Sequence, residues 1–269
     1  MRMPRFAGLG LATIAAVALA AGGCAAKDDA TPGGGASTAP GPSASGVAGP
    51  ADPAAAAELA SAAAALGTTS FKVTMTSGPG LELNGQMDAP NGLGTAELTA
   101  TGPNTKISVK TLLVDQDLYL QVDGITKAGT WTHVDVSRLP EGADVGLRPG
   151  QIDPADTARL LNSTTDVQRV DSRSYRGNLD LSKAAGVAGV DRTMIEAWGA
   201  QAQKVPFTAG LDEQGRLSAL TIQLPAVNGR ETPPLETLYT DYGVKIEAKK
   251  PAPSEITEAP DSLYTSLGG

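Results

Sequence analysis

The sequence has little of the chemistry on which many enzymes depend. Its 269 residues include one cysteine, Cys24, and one histidine, His133, and only 4% of them are aromatic. A single cysteine excludes an internal disulfide, and a single histidine supplies too few ligands for a zinc site. The chain also lacks the Gly-x-Ser-x-Gly elbow that presents a serine nucleophile. We therefore expect no catalytic residues, no metal and no cofactor, and a fold stabilised by its hydrophobic core.

The isolated candidates for chemistry have ordinary interpretations. His133 stands next to Trp131 in GTWTHVDVS, a predicted strand, where we expect a structural or surface role for its imidazole. Asp115 and Asp117 have the spacing of calcium ligands, but the rest of a calcium loop is absent. We interpret both aspartates as turn residues.

The chain also lacks an apolar run long enough to cross a bilayer as a helix. The run Phe6 to Ala21 has about sixteen residues, whereas a transmembrane helix needs roughly 20. Arg2 and Arg5 precede this run, and a short basic region before a short apolar one is typical of a secretion signal. The sequence therefore predicts export without a membrane-spanning helix.

Small residues stand directly before the only cysteine. Ala21, Gly22 and Gly23 precede Cys24 and resemble the lipobox of bacterial lipoproteins, with Ala21 in the place of the usual leucine. The resemblance implies that residues 1–23 are a signal peptide and that Cys24 carries acyl chains, which anchor the protein at the extracytoplasmic face of the cell membrane. An ordinary signal peptide followed by a free thiol remains the alternative.

The charge balance excludes one class of partner. The chain has 21 basic and 29 acidic residues, and removal of the signal with its two arginines changes the net charge from −8 to 19 − 29 = −10. An acidic surface argues against nucleic-acid binding and against electrostatic attraction to anionic lipids. Membrane residence would then depend on the acyl chains of Cys24.

A tether follows the cysteine. Residues 24–51 are rich in Gly, Pro, Ser and Ala and poor in aromatic and branched apolar side chains. Such a composition buries too little apolar surface to offset its conformational entropy, so we expect a flexible linker. The rest of the chain has the length of one domain with a substantial core.

The remaining pattern predicts strands with helices between them. Residues 52–67 predict a helix with Asp52 as its cap, Pro53 at its first position and Gly67 at its end. Two further helices are predicted at 153–162 and 191–203, the second with Met194, Ile195 and Trp198 on one side. Predicted strands cover 70–77, 81–88, 94–101, 106–114, 118–123, 205–212, 216–224 and 238–248, and one more ends near Leu181. This order favours a mainly antiparallel α+β domain.

Three segments carry a resemblance to a known family. They are YRGNLDLSKA (175–184), PFTAGLDEQGRLSALTIQLP (206–225) and YTDYGVKIEAKKPAPSEI (239–256). In order and spacing they resemble segments of the LppX/LprG-type lipoproteins of mycobacteria and their actinobacterial relatives, which have a LolA/LolB-like fold. The resemblance covers residues 52–258 and leaves 259–269 as a C-terminal tail.

The resemblance implies a fold and a function. It implies a strongly curved antiparallel sheet, a half-barrel, packed against helices over a hydrophobic cavity. It also implies a monomeric, non-enzymatic carrier that binds lipid or acylated glycolipid and moves it across the cell envelope, with a lipid transporter as a further partner. The alternative is an interaction or sensory module of the same fold with a collapsed cleft.

Apolar positions of the predicted strands are the candidates for the cavity lining. They are Phe71, Val73, Met75, Leu118, Leu120, Leu220 and Ile222. The low aromatic content and the many Ala, Gly, Val and Leu side chains favour a smooth apolar lining suited to acyl chains. The alternative for each of these residues is an ordinary core position.

Overall fold

The chain folds as a β-rich α+β structure. The computed structural model describes residues 51–102, 105–124, 126–139, 153, 157–183, 192–227 and 229–267. The α-helices within these ranges are α1 (Pro53–Ala64), α2 (Thr157–Asn162), α3 (Arg192–Trp198) and α4 (Asp261–Leu267). The strands within them are β1 (Ser70–Ser77), β2 (Leu81–Asp88), β3 (Leu93–Thr101), β4 (Lys106–Val114), β5 (Asp117–Val122), β6 (Trp131–Asp135), β7 (Gln168–Arg169), β8 (Ser174–Leu179), β9 (Val205–Leu211), β10 (Leu217–Ile222), β11 (Leu235–Thr240) and β12 (Ile256–Glu258).

All of these strands belong to one open sheet. Its order is β12-β6-β5-β4-β3-β2-β1-β11-β10-β9-β8-β7. Neighbours are antiparallel except β12 and β6, which are parallel. Strands β1 to β6 form one meander, and β7 to β11 form a second series of neighbours in chain order. The pairing of β1 with β11, in which Val73 lies opposite Tyr239, joins the two series into a continuous sheet.

The predicted strand bounds are correct or nearly so in the first meander. Strands β1, β2 and β4 have the predicted bounds, whereas β3 and β5 each begin one residue earlier and β5 ends one residue earlier. The turns also fall where they were expected. Gly92 and Asp115 have positive φ angles of 64° and 59°, which suit the tight turns that end β2 and β4.

The last long strand was predicted wrongly. The sequence predicts a strand at 238–248, but β11 covers Leu235–Thr240 and residues 244–248 are not in the sheet. The chain turns at Asp241 and Gly243, whose φ angles are 51° and 81°. Such left-handed conformations end a ladder, so the apolar residues after them cannot continue it.

Residues 241–255 connect β11 to β12 and are called the crossing segment. Its start is held to β1, since the Gly243 amide donates to the Ser70 carbonyl at 2.8 Å and the Ser70 hydroxyl donates to the Val244 carbonyl at 2.6 Å. Further along, Lys250 forms an ion pair with Asp117 of β5. The crossing segment therefore passes from the middle of the sheet to its β6 edge.

The helices are shorter than predicted. Asp52 caps α1 by accepting from the amides of Ala54 at 2.9 Å and Ala55 at 3.2 Å, as expected. However, the α-helix ends at Ala64, and 65–68 form a 3₁₀ turn, a frequent continuation of a helix end. Likewise α3 ends at Trp198 and continues as a 3₁₀ helix to Gln203. Of the helix predicted at 153–162, the structure describes Asp153 and the residues of α2, which begins at Thr157.

The main core lies on the face of the sheet that packs against α1, here called the inner face. Leu59 of α1 and Phe71 of β1 are both almost fully buried in it. The rings of Phe71 and Tyr239 meet edge to face at 5.8 Å between centroids. Trp198 is buried in the same core, and Met194 and Ile195 are partly buried against it. This agrees with the prediction that these three residues lie on one side of their helix. Full burial of one such side chain stabilises the fold by about 1.5–3 kcal/mol.

A second, smaller cluster lies on the opposite, outer face. It contains Leu112, Val114 and Tyr119, and side chains of β6, β12 and the crossing segment pack against it. Residues 259–267, which the sequence places in a tail, also belong to the folded part, because Tyr264 of α4 is buried in the main core. No helix in the described ranges is both long enough and apolar enough to span a membrane.

Candidate functional site

The seven predicted lining residues lie together on the inner face. Six of them are at most 4% exposed in the main core, whereas Leu120 is half-buried against its edge. The six buried residues are Phe71, Val73, Met75, Leu118, Leu220 and Ile222. Strand alternation thus placed all seven residues on one face, and the burial of six of them is that of core positions.

The inner face is tightly packed at β1 and β2. A Cβ atom added at Gly85 would lie 3.0 Å from both Val73 Cγ1 and Met87 Cε. Contacts this short require the neighbouring side chains to shift by a few tenths of an ångström, so the inner face is closely packed around Gly85. An apolar guest would therefore have to lie elsewhere on the inner face.

Four apolar side chains continue the inner face beyond this packed region. Leu98, Val109, Leu120 and Val122 are half-buried, and they are here called the half-buried patch. They lie on adjacent strands, since Leu98 pairs with Val109 and Val109 pairs with Val122 in the sheet register. Leu98 and Leu120 also pack against the main core. The patch is therefore a direct extension of the core on β3, β4 and β5.

Sequence reasoning missed three members of the half-buried patch. Leu98, Val109 and Val122 occupy alternate positions on their strands, as do the buried residues, so the periodic signal was present. Their partial exposure depends on which elements cover each strand, and that information is absent from local periodicity.

One buried polar atom on the inner side is unusual. Trp198 is 3% exposed, and its indole Nε1–H has no hydrogen-bond partner among the described residues. An unsatisfied buried donor costs about 1–3 kcal/mol, so most buried donors are paired. The Trp198 donor is suited to a carbonyl or hydroxyl oxygen of a bound molecule.

The buried hydroxyl groups of the core are already paired. Tyr239 OH and Thr157 Oγ1 are hydrogen-bonded, and the Thr157 amide donates to the Asp153 carboxylate at 2.5 Å. Burial raises the pKa of Tyr239 well above its ordinary value, and the nearby Asp153 carboxylate raises it further. A phenol held neutral in this way is a poor base, so this group fits a structural role.

His133 lies on the outer face between two carboxylates. Its Nε2 is 2.7 Å from Asp117 Oδ1, its Nδ1 is 2.8 Å from Glu258 Oε2, and its ring stacks on Tyr119. Burial acts to lower the pKa of His133, but the hydrogen bonds that its ring donates to the two carboxylates outweigh burial and raise it. Both ring nitrogens are therefore engaged in holding β5, β6 and β12 together.

Asp115 and Asp117 flank a tight turn, as expected, and Asp117 also has partners beyond the turn. Asp115 occupies the turn itself with a φ of 59°, whereas Asp117 pairs with both Lys250 and His133. The hydrogen bond from Lys250 is the main cause that lowers the pKa of Asp117, and the His133 hydrogen bond adds to it. Among the described residues, no group of three or more His, Cys, Asp or Glu side chains is arranged to hold a metal ion.

The outer face also carries a trough of about 520 Å³. It runs across β11, β1, β2, β3 and β4 towards Trp131 of β6, and polar side chains form most of its floor. The sequence predicts a cavity between sheet and helices, whereas this trough lies on the side of the sheet away from α1.

These two faces define an α+β protein with an open, mainly antiparallel sheet that carries the main core on one side and both the polar trough and the small cluster on the other. A scan of the chain against protein-family models finds no match, and neither does a search of curated proteins. Function is therefore inferred from the sequence and the geometry of the two faces.

Proposed function

We propose that the protein is a membrane-anchored lipoprotein that binds a lipid or acylated glycolipid and carries it across the cell envelope. The guest lies between the inner face of the sheet, curved into a half-barrel, and the helices. Cys24, which would carry the anchor, lies outside the described residues. In this role the protein binds without catalysis, and a lipid transporter is the expected source or acceptor of its cargo.

The half-buried patch is the observation that carries the proposal. Leu98, Val109, Leu120 and Val122 extend the core on the inner face, yet their side chains are only partly removed from water. Covering such a surface with acyl chains is favourable by roughly 25 cal/mol for each Å² of apolar area buried.

A second candidate function is favoured by the packing at β1 and β2. The short contacts that an added Cβ at Gly85 would make are typical of a filled core. A filled core fits an interaction or sensory module of the same fold, without a guest.

Enlarging one side chain of the half-buried patch separates these candidates. Val109→Trp is expected to abolish uptake of a fluorescent fatty acid while the thermal midpoint stays near the wild-type value, because a half-buried site has space for the indole. Lys106→Trp is the matched control, since it adds the same group to the exposed outer side of the same strand. Leu220→Trp, in the filled core, should instead lower the free energy of unfolding by about 1–3 kcal/mol.

Two results would contradict the lipid proposal. Normal probe uptake by Val109→Trp would show that the half-buried patch does not hold the guest. A native mass spectrum of the gently purified protein without bound lipid, together with no probe uptake by the wild type, would favour the interaction module.

A further inference from the structure

The trough on the outer face has the size of a binding site and a regular floor. Its volume of about 520 Å³ lies within the range common for sites that bind small molecules. Lys72, Gln86 and Thr95 stand side by side across β1, β2 and β3 in the sheet register. Thr74, Asn84 and Glu97 form a parallel second row. Strands position these side chains more rigidly than loops would.

The floor offers hydrogen-bond donors and acceptors in alternation. The amides of Asn84 and Gln86 both donate and accept, and so do the hydroxyls of Thr74 and Thr95. Asn84 and Gln86 are both exposed. The Asn84 amide accepts from Thr74 Oγ1 at 3.2 Å and donates to Glu82 Oε1 at 2.7 Å, so a ligand would exchange with these contacts, whereas the Gln86 amide faces solvent. A ligand hydroxyl also donates and accepts, so a molecule with several hydroxyls is the complementary partner for this floor.

The charges of the trough do not favour an anionic ligand. Lys72 forms a 2.7 Å ion pair with Asp241, and Lys110 lies directly opposite Glu97 on the neighbouring strand. The positive side chains are thus balanced by nearby carboxylates. The whole chain is acidic as well, with a net charge of −8, so its field repels anions. A neutral ligand meets neither difficulty.

An aromatic side chain closes one end of the trough. Trp131 of β6 lines it, and its position is fixed because it packs against the cluster of Leu112, Val114 and Tyr119 and pairs with Ile256. Tryptophan supplies a large, rigid, amphipathic contact surface with little conformational entropy to lose. A half-buried indole next to amides and hydroxyls suits a ligand with one apolar C–H face and a hydroxylated rim.

We propose that this trough is a binding site for a neutral saccharide. A sugar ring has an apolar face that stacks on Trp131 and hydroxyl groups that pair with Asn84, Gln86 and the threonines of the floor. The sheet separates the trough from the inner face, so the ligand is a free oligosaccharide or polysaccharide rather than the headgroup of a lipid held on the other side. The inference therefore does not depend on the lipid proposal.

Binding is tested with an array of neutral oligosaccharides that covers glucose, galactose, mannose and N-acetylhexosamine units, followed by saturation-transfer NMR on the purified protein. The double variant Asn84→Ala/Gln86→Ala is expected to weaken binding at least tenfold with an unchanged thermal midpoint, because both side chains are exposed. Trp131→Phe, which retains an aromatic ring for packing, should weaken it several-fold. Thr208→Ala/Glu236→Ala is the matched control, with two exposed strand residues outside the trough.

Four outcomes would overturn the proposal. The first is that the protein binds no neutral saccharide, and the second is that the Asn84→Ala/Gln86→Ala variant binds as tightly as the wild type. The third is that the control variant loses as much affinity as the Asn84→Ala/Gln86→Ala variant. The fourth is that acidic saccharides bind more tightly than neutral ones. Amide chemical-shift changes on the inner face only would also overturn it, since they would assign the saccharide to the lipid side.

Discussion

His133 links three strands through its two ring nitrogens. Asp117 of β5 binds one nitrogen, Glu258 of β12 binds the other, and Tyr119 stacks on the ring. Lys250 of the crossing segment reaches the same Asp117 carboxylate. The His133 and Asp117 side chains are 17% and 25% exposed, so this pair is better shielded from water than an ordinary surface ion pair, whereas Glu258 is 73% exposed.

The raised pKa of His133 predicts a pH dependence of stability. Because the folded state raises this pKa above the unfolded value of about 6.5, protonated His133 binds more tightly in the folded state. Its contribution is fully present below about pH 6.5 and is lost as the pH rises through the folded pKa. His133→Gln should therefore be clearly less stable than wild type near pH 6, and the difference should shrink at alkaline pH.

Chemical denaturation at a series of pH values checks this expectation. Lys183→Gln is the control, because it removes a basic side chain from a different ion pair, that of Lys183 with Asp180. A difference between His133→Gln and wild type that stays constant from acidic to alkaline pH would contradict the role assigned to the imidazole.

At the scale of elements, the crossing segment and β12 cover the small cluster on the outer face. Ala248 and Ile256 pack against the cluster of Leu112, Val114 and Tyr119. β12 is only three residues long and is an edge strand, so side-chain packing contributes much of what holds it. Loss of this cover would leave the outer cluster in contact with water.

Truncation of Ile256 tests this packing. Ile256→Ala is expected to lower the free energy of unfolding by about 1–2 kcal/mol, less than for a fully buried isoleucine because the side chain is half-buried. Thr257→Ala on the exposed side of the same strand should change it by less than about 0.5 kcal/mol. Thermal unfolding of both variants measures these changes. Equal changes in Ile256→Ala and Thr257→Ala would mean that packing of Ile256 on the outer cluster does not stabilise the fold.

Local patterns predicted the first meander well and the later elements less well. Alternation and short turns gave the bounds of β1, β2 and β4, because both are encoded by neighbouring residues. The prediction for β11 was wrong because the left-handed Asp241 and Gly243 interrupt an apolar pattern that continues after them. The half-buried patch was missed because exposure depends on distant covering elements.

At the scale of the whole molecule, the described fold begins close to the predicted tether. Asp52 caps α1, and its amide donates to the Val167 carbonyl at 2.8 Å, which attaches the first turn of the fold to the segment before β7. The sequence places about 27 residues between Cys24 and this point. A linker of that length would have a root-mean-square span of about 30 Å.

Loss of the anchor should release the intact domain. If the protein is a lipoprotein, as proposed, Cys24→Ser removes the thiol that would carry the acyl chains, so the protein should move from the membrane fraction to the soluble fraction or the medium. Ser43→Ala, in the same predicted tether, should leave it in the membrane fraction. Immunoblotting of the separated fractions measures both, and retention of Cys24→Ser at the membrane would refute lipid anchoring.

The pairing of β1 with β11 has a consequence for the order in which the chain acquires its structure. Val73 and Tyr239 are partners although 239 − 73 = 166 residues separate them, whereas β1 to β5 pair through short hairpins. Closing so long a loop costs more entropy than closing a hairpin, and contacts between distant residues slow folding. The central seam of the sheet therefore closes only once the chain as far as β11 is present, and until then β1 has β2 as its one partner in the sheet.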